Sequence, residues 1–214
     1  MRSKICILLL PLLAIFFSCE ATSKDSASQF WDWFKTNQAK YYVENIDEKL
    51  LDELSIQLHK VSPDITFEFS PIQPDGIREL TISADGIQSA FPTVQYLVSK
   101  APKIKKWQFN AFRQRIPGDS MSIQFNGLDI SYQDIYFRYS KNSDKIDIEL
   151  NVRGYNGASE YKAAIYILLD GLIGEYDMET QIAGIDFVLL DDKQTGELSA
   201  ITKLRNVVDD NKKH

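Results

Sequence analysis

Glu68 and Glu79 are the first residues whose type and spacing suggest chemistry. They fall on the polar sides of two neighbouring alternating stretches, residues 65–70 and 77–83. Paired carboxylates act as general acid and base when burial or charge drives their proton affinities apart. Acids on the wet side of a sheet are also ordinary surface chemistry. Other catalytic constellations lack their parts. The chain has two histidines, His59 within a helical pattern and His214 at the last position. A Ser-His-Asp or Cys-His site would have to use His59, which reads as a helix-surface residue, and no G-x-S-x-G turn occurs. One such histidine and two cysteines do not assemble a zinc site. Phosphate-cradling glycine loops and the EF-hand spacing are missing as well, so no cofactor and no metal is expected. Glu175, Asp177 and Glu179 form a further acidic tract at 174–180. Oxygen-ligand metal binding is conceivable there; a solvated turn is the simpler expectation.

Charge is distributed unevenly. Residues 86–118 contain no acid but six cations, Lys100, Lys103, Lys105, Lys106, Arg113 and Arg115, with Trp107, Phe109 and Phe112 interleaved. Residues 163–192 contain seven acids and neither Lys nor Arg. One reading is a basic patch for an anionic ligand, lipid headgroup or partner protein. The other is that the two segments lie together and neutralise, which needs only commonplace surface pairing. A net charge of −6 argues against nucleic acid as the partner.

These residues need elements to position them. Phe30, Trp33, Phe34 and Tyr41 share a helical face, with Ser28 as its cap, and Leu50, Leu51, Leu54, Leu58 and Val61 mark a second helix that Pro63 ends. The two alternating stretches with Glu68 and Glu79 follow, joined by a Pro- and Gly-containing turn that predicts a hairpin. Phe91, Val94, Leu97 and Val98 predict a third helix. Strand patterns then cover 107–112, 121–125, 134–139 and 145–152. Tyr161, Ile165, Leu168, Leu169, Leu172 and Ile173 give a strong helix, followed by a strand at 184–190 and a short helix within 199–208. The order predicts an α+β fold, a mostly antiparallel sheet with helices packed on one face, in a single domain over 29–214. At 214 residues, 44% hydrophobic and 25% charged, the chain can form an ordinary core, which excludes a disulfide scaffold, a disordered chain or a collagen-like repeat.

The N-terminus supplies an address. Arg2 and Lys4 precede an uncharged stretch over 5–17, too short to span a bilayer and interrupted by Pro11, but suited to a signal-peptide core. Phe16-Phe17-Ser18-Cys19 resembles a bacterial lipobox, with Phe16 where Leu is usual and Ser18 where Gly or Ala is commoner. The resemblance implies cleavage after residue 18 and a lipidated Cys19, with 19–28 as a polar tether. Losing Arg2 and Lys4 would take the charge from −6 to −8. Cys6 would leave with the signal, so no disulfide is expected. Phe30 to Phe34 (FWDWF), the stretch 75–115 and LLDGLIGEYDMETQIAGIDFVLL resemble an uncharacterised family of bacterial domains with no assigned activity, which implies one α+β domain and no transferable site. The expectation is a membrane-anchored lipoprotein of the cell envelope, binding a partner without catalysis. The alternatives are a carboxylate-dependent hydrolase using Glu68 and Glu79, or a toxin-neutralising immunity lipoprotein.

Overall fold

A computed structural model describes residues 25–213. The signal segment, Cys19 and most of the tether lie outside the described residues. Helix α1 (Ser26–Asn37) is capped by Asp25 rather than Ser28: the Asp25 carboxylate accepts from the Ser28 N–H at 3.1 Å and from its hydroxyl at 2.9 Å. Ala27, Phe30, Trp31 and Phe34, at i, i+3, i+4 and i+7, form the buried stripe. Trp31 therefore takes the inward place expected of Trp33, and its indole N–H donates to the Leu97 carbonyl at 2.7 Å. Tyr41 lies beyond the helix end, fully buried, with its hydroxyl on the Leu50 carbonyl. Helix α2 (Glu48–His59) is capped by Asp47 and buries Leu54 and Leu58.

Strands β1 (Thr66–Phe69) and β2 (Arg78–Ser83) pair as the predicted antiparallel hairpin, with Phe67 opposite Ile82. Helix α3 (Phe91–Ser99) then carries the chain back to β3 (Trp107–Ala111), which runs parallel to β2. Leu80, Ile82, Trp107 and Phe109 face the three helices and pack in one hydrophobic cluster with Phe30, Phe34, Leu54, Leu58 and Val94. Arg78 points the same way. It is accommodated because its guanidinium donates to the Tyr41 and Val43 carbonyls and lies over the Phe69 ring.

The second half begins with a hairpin, β4 (Ser122–Phe125) and β5 (Leu128–Ser131), turned on Asn126-Gly127, both at positive φ. Strands β6 (Ile135–Asn142) and β7 (Lys145–Val152) form a longer hairpin. Helix α4 (Ser159–Ile173) and helix α5 (Glu175–Gln181) lead to β8 (Ile182–Leu189), parallel to β7. A two-residue strand β9 (Ser199–Ala200) and helix α6 (Leu204–Asn211) end the chain. The sheet order is β8-β7-β6-β9, and its inward residues, Ile146, Ile148, Leu150 and Val152, pack on Ile165, Leu168, Leu169 and Leu172 of α4.

The chain is a single α+β domain whose strand pairings are mostly antiparallel, as expected, but whose two larger sheets are mixed, each with one parallel pair. The reason is topological. A strand reached through a helical crossover returns in the direction of the one it left, so β3 and β8 are both parallel to their predecessors. Each half thus repeats one order: hairpin, helical crossover, parallel strand. No helix among the described residues is long and apolar enough to cross a membrane.

Candidate functional site

The polar face of the first sheet is the floor of a cleft of about 1100 Å³. Glu68, Glu79, Thr81 and Gln108 rise from that floor, while α4 and α5 supply the opposite wall. The segment after β3 closes one end. There Phe112 takes a left-handed conformation, φ +67°, unusual for a bulky residue. Its N–H is held by the Ile82 carbonyl at 2.7 Å, and its ring packs on Phe91 and Tyr176. Leaving β3 through this turn brings Arg113 into the cleft.

Arg113 is the centre of the site. Its Nε lies 2.5 Å from Glu68 Oε1, its Nη2 lies 3.1 Å from Asp85 Oδ1, and its Nη1 lies 3.5 Å from Asp170 Oδ2. Three carboxylates from three parts of the chain thus meet one planar fork. Burial works against the guanidinium charge, but Glu68, Asp85 and Glu175 more than offset it and raise its pKa. Glu175, only 1% exposed, joins the two walls. Its Oε1 accepts from the Ser83 hydroxyl at 2.8 Å and the Ala84 N–H at 3.0 Å, and its Oε2 accepts from the Arg113 N–H at 3.1 Å. A buried carboxylate with three donors is satisfied in place.

Asp170 is the perturbed group. Burial pushes its pKa up from 3.8 to about 6; Arg113 opposes this, while Glu175, Glu179 and Asp85 add to it. Burial also raises Glu179, against the pull of Lys145. Six acids line the cleft against two arginines, a formal excess of four negative charges. Beside them Ile116, Tyr166 and Ile167 are exposed, so one flank of the cleft is apolar.

The structure places Glu68 and Glu79 on one face of one sheet, in one cleft, as the alternation predicts. Each already has a partner: Glu68 holds Arg113, and Glu79 Oε2 accepts from Asn110 at 2.7 Å. The acidic tract is not a solvated turn. It is α5, with Glu175 and Asp177 buried, because Met178 and Ile182 belong to the core and draw the segment inward. Asp177 binds Arg115 at 2.7 Å and Lys212 at 2.8 Å. The six-cation segment divides in two. Arg113 and Arg115 turn inward to acids, including Asp170 and Asp177 of the acidic segment, so for these two the neutralising arrangement is the one found and they are not part of an exposed patch. Lys100, Lys103, Lys105 and Lys106 stay exposed at the other end of β3. His59 is exposed at the end of α2.

Asp85 and Asp170 escaped the sequence reading. Asp170 did leave a signal, an acid set among Leu168, Leu169, Leu172 and Ile173, where a helix interior demands a partner. Nothing in the sequence marks that partner as Arg113. No protein-family model, curated protein or solved structure matches this chain.

Proposed function

We propose that this protein is a lipoprotein of the cell envelope, anchored through an acylated Cys19, that binds a positively charged ligand in the cleft without transforming it. The observation that carries the reading is the excess of carboxylates in the cleft: both arginines are already taken by acids, and Asp170, raised chiefly by burial, is raised further by Glu175, Glu179 and Asp85. An amine or guanidinium group placed near Asp170 and Glu179 would relieve that repulsion, while Ile116, Tyr166 and Ile167 would contact an attached apolar portion. The lipid address and the cleft support one role, capture at a membrane surface.

Calorimetric titration with aliphatic monoamines and diamines, each beside its neutral alcohol counterpart, tests the reading. Saturable binding of the amines, weakened by Glu179→Gln and absent for the alcohols, is expected. Equal response to amine and alcohol, or none to either, defeats it. The anchor is tested separately by the intact mass of the mature chain, which should carry acyl adducts on Cys19 that Cys19→Ser abolishes.

A hydrolytic reading draws on one specific observation, the same Asp170. A carboxyl group that titrates near 6 beside ionised neighbours is suited to proton donation. It would pair Asp170 with Glu68 or Glu79, and Asp170→Asn would then abolish turnover while leaving ligand binding in place.

A further inference from the structure

We infer that the loop between α3 and β3 is a second contact with the membrane: Lys100, Lys103, Lys105 and Lys106 rest on anionic lipid headgroups and orient the cleft away from the bilayer. The inference rests on the lipid-anchor reading above. All four lysines are exposed, and among the described residues none has an ion-pair partner. Lys100 lies 5.3 Å from the centre of the Tyr96 ring, and Tyr96 is itself 47% exposed. Lys106 lies 4.9 Å from the Tyr42 ring. A cation beside a half-exposed tyrosine, as Lys100 is beside Tyr96, suits the boundary between water and lipid, where an amphipathic ring and a charged head can both be accommodated.

Position along the chain makes the bilayer the occupant. The tether joins Cys19 to the start of α1, and six residues reach roughly 20 Å at most. Trp31, little more than one turn into α1, donates to the Leu97 carbonyl at the end of α3, next to the lysine loop. A lipid on Cys19 therefore brings this loop to the headgroups. Lipids with a net anionic headgroup supply the opposite charge, and each lysine near such a surface adds to the attraction, which falls away within a Debye length. The five residues of β3 separate Lys106 from the turn that carries Arg113 by roughly 15 Å or more. With the lysines against the membrane, Arg113 and the cleft stand off from it, open to a ligand in the surrounding water.

The test uses the full mature chain on phosphatidylcholine vesicles with and without phosphatidylglycerol. A water-soluble amine-acetylating reagent reads each lysine by mass spectrometry, with Lys141 and Lys193 of the other half as internal controls. The four loop lysines should react roughly threefold or more slowly on the anionic vesicles, and high salt should abolish the difference. Equal rates on both compositions overturn the inference, and so does protection that salt leaves unchanged. Intact mass separates the two proposals. If Cys19 bears no lipid, the anchor reading fails, but salt-sensitive flotation of the chain with anionic vesicles alone still supports the lysine surface. Flotation with neither composition overturns it.

Discussion

Arg113 and Asp170 show how one residue acquires its properties from others far along the chain. Asp170 belongs to α4, whose neighbouring residues are apolar, yet its carboxyl group reaches a cleft where Arg113, Asp85 and Glu179 surround it. Its pKa, raised to about 6 from 3.8, makes stability depend on pH with a definite sign. The folded chain binds this proton more tightly than the unfolded chain, so the contribution is fully present below about 4 and is lost as pH rises through 6. Asp170→Asn, neutral throughout, should therefore gain on the wild type by ~1–3 kcal/mol between pH 4 and pH 7 in paired urea titrations. A pH-independent difference would show that the group titrates normally. By the same sign, a cation in the cleft should bind more tightly as pH rises through 6, because binding favours the ionised Asp170.

Among the elements, the junction of α4 and α5 controls the site. Gly174 ends α4 at φ +83°, and α5 starts at once with Glu175. A side chain here would be held in a left-handed conformation, and its Cβ would stand 3.4 Å from the Arg113 carbonyl. Gly174→Ala should cost ~1–2 kcal/mol of unfolding free energy and weaken amine binding, since it shifts Glu175 and Arg113 together. Stability and affinity left at wild-type values would count against the junction. The elements were legible to different degrees. β7 and α4 show long uninterrupted periods, and both stand where the pattern put them. α5 has seven residues, too few for a period to declare itself, so it read as a turn. β5, with four residues, is shorter still and did not read as a strand, although the Asn126-Gly127 pair before it is a hairpin turn signal. Turns marked the β1–β2 hairpin, but the parallel direction of β3 and β8 was not visible, because alternation is the same whichever way a strand runs.

For the whole molecule, the question is what makes two hydrophobic clusters behave as one. Trp31, Trp33 and Trp107 all lie in or against the first cluster, whereas α4 and the larger sheet form the second. Glu175 connects them through Ser83, Ala84 and Arg113, and Arg115 adds contacts to Asp177 and Asp209. Tryptophan fluorescence reports on the first cluster alone, while far-ultraviolet circular dichroism follows the helices of both. In the wild type the two urea transitions should coincide. Glu175→Ala strips the acceptor from three donors and should cost roughly 3–5 kcal/mol. It should also pull the two transitions apart. Coincident transitions in the variant would mean that apolar contacts, not this carboxylate, couple the halves.

Local pattern sufficed for the α+β class, for the shared face of Glu68 and Glu79 and for the principal helices, because burial of one face imposes a period that the sequence must carry. The proposed address at Cys19 rests on sequence alone, since it is read from a linear segment. Tertiary structure alone decided that Arg113 and Arg115 face inward while four lysines remain outside, that the acidic tract is a buried helix, and that β3 and β8 run parallel to their neighbours. Those outcomes depend on pairings between residues distant along the chain, such as Arg113 with Glu68, 45 positions apart, and Arg115 with Asp209, 94 apart. Charge along a chain gives the sum of such groups; only the fold determines which of them meet.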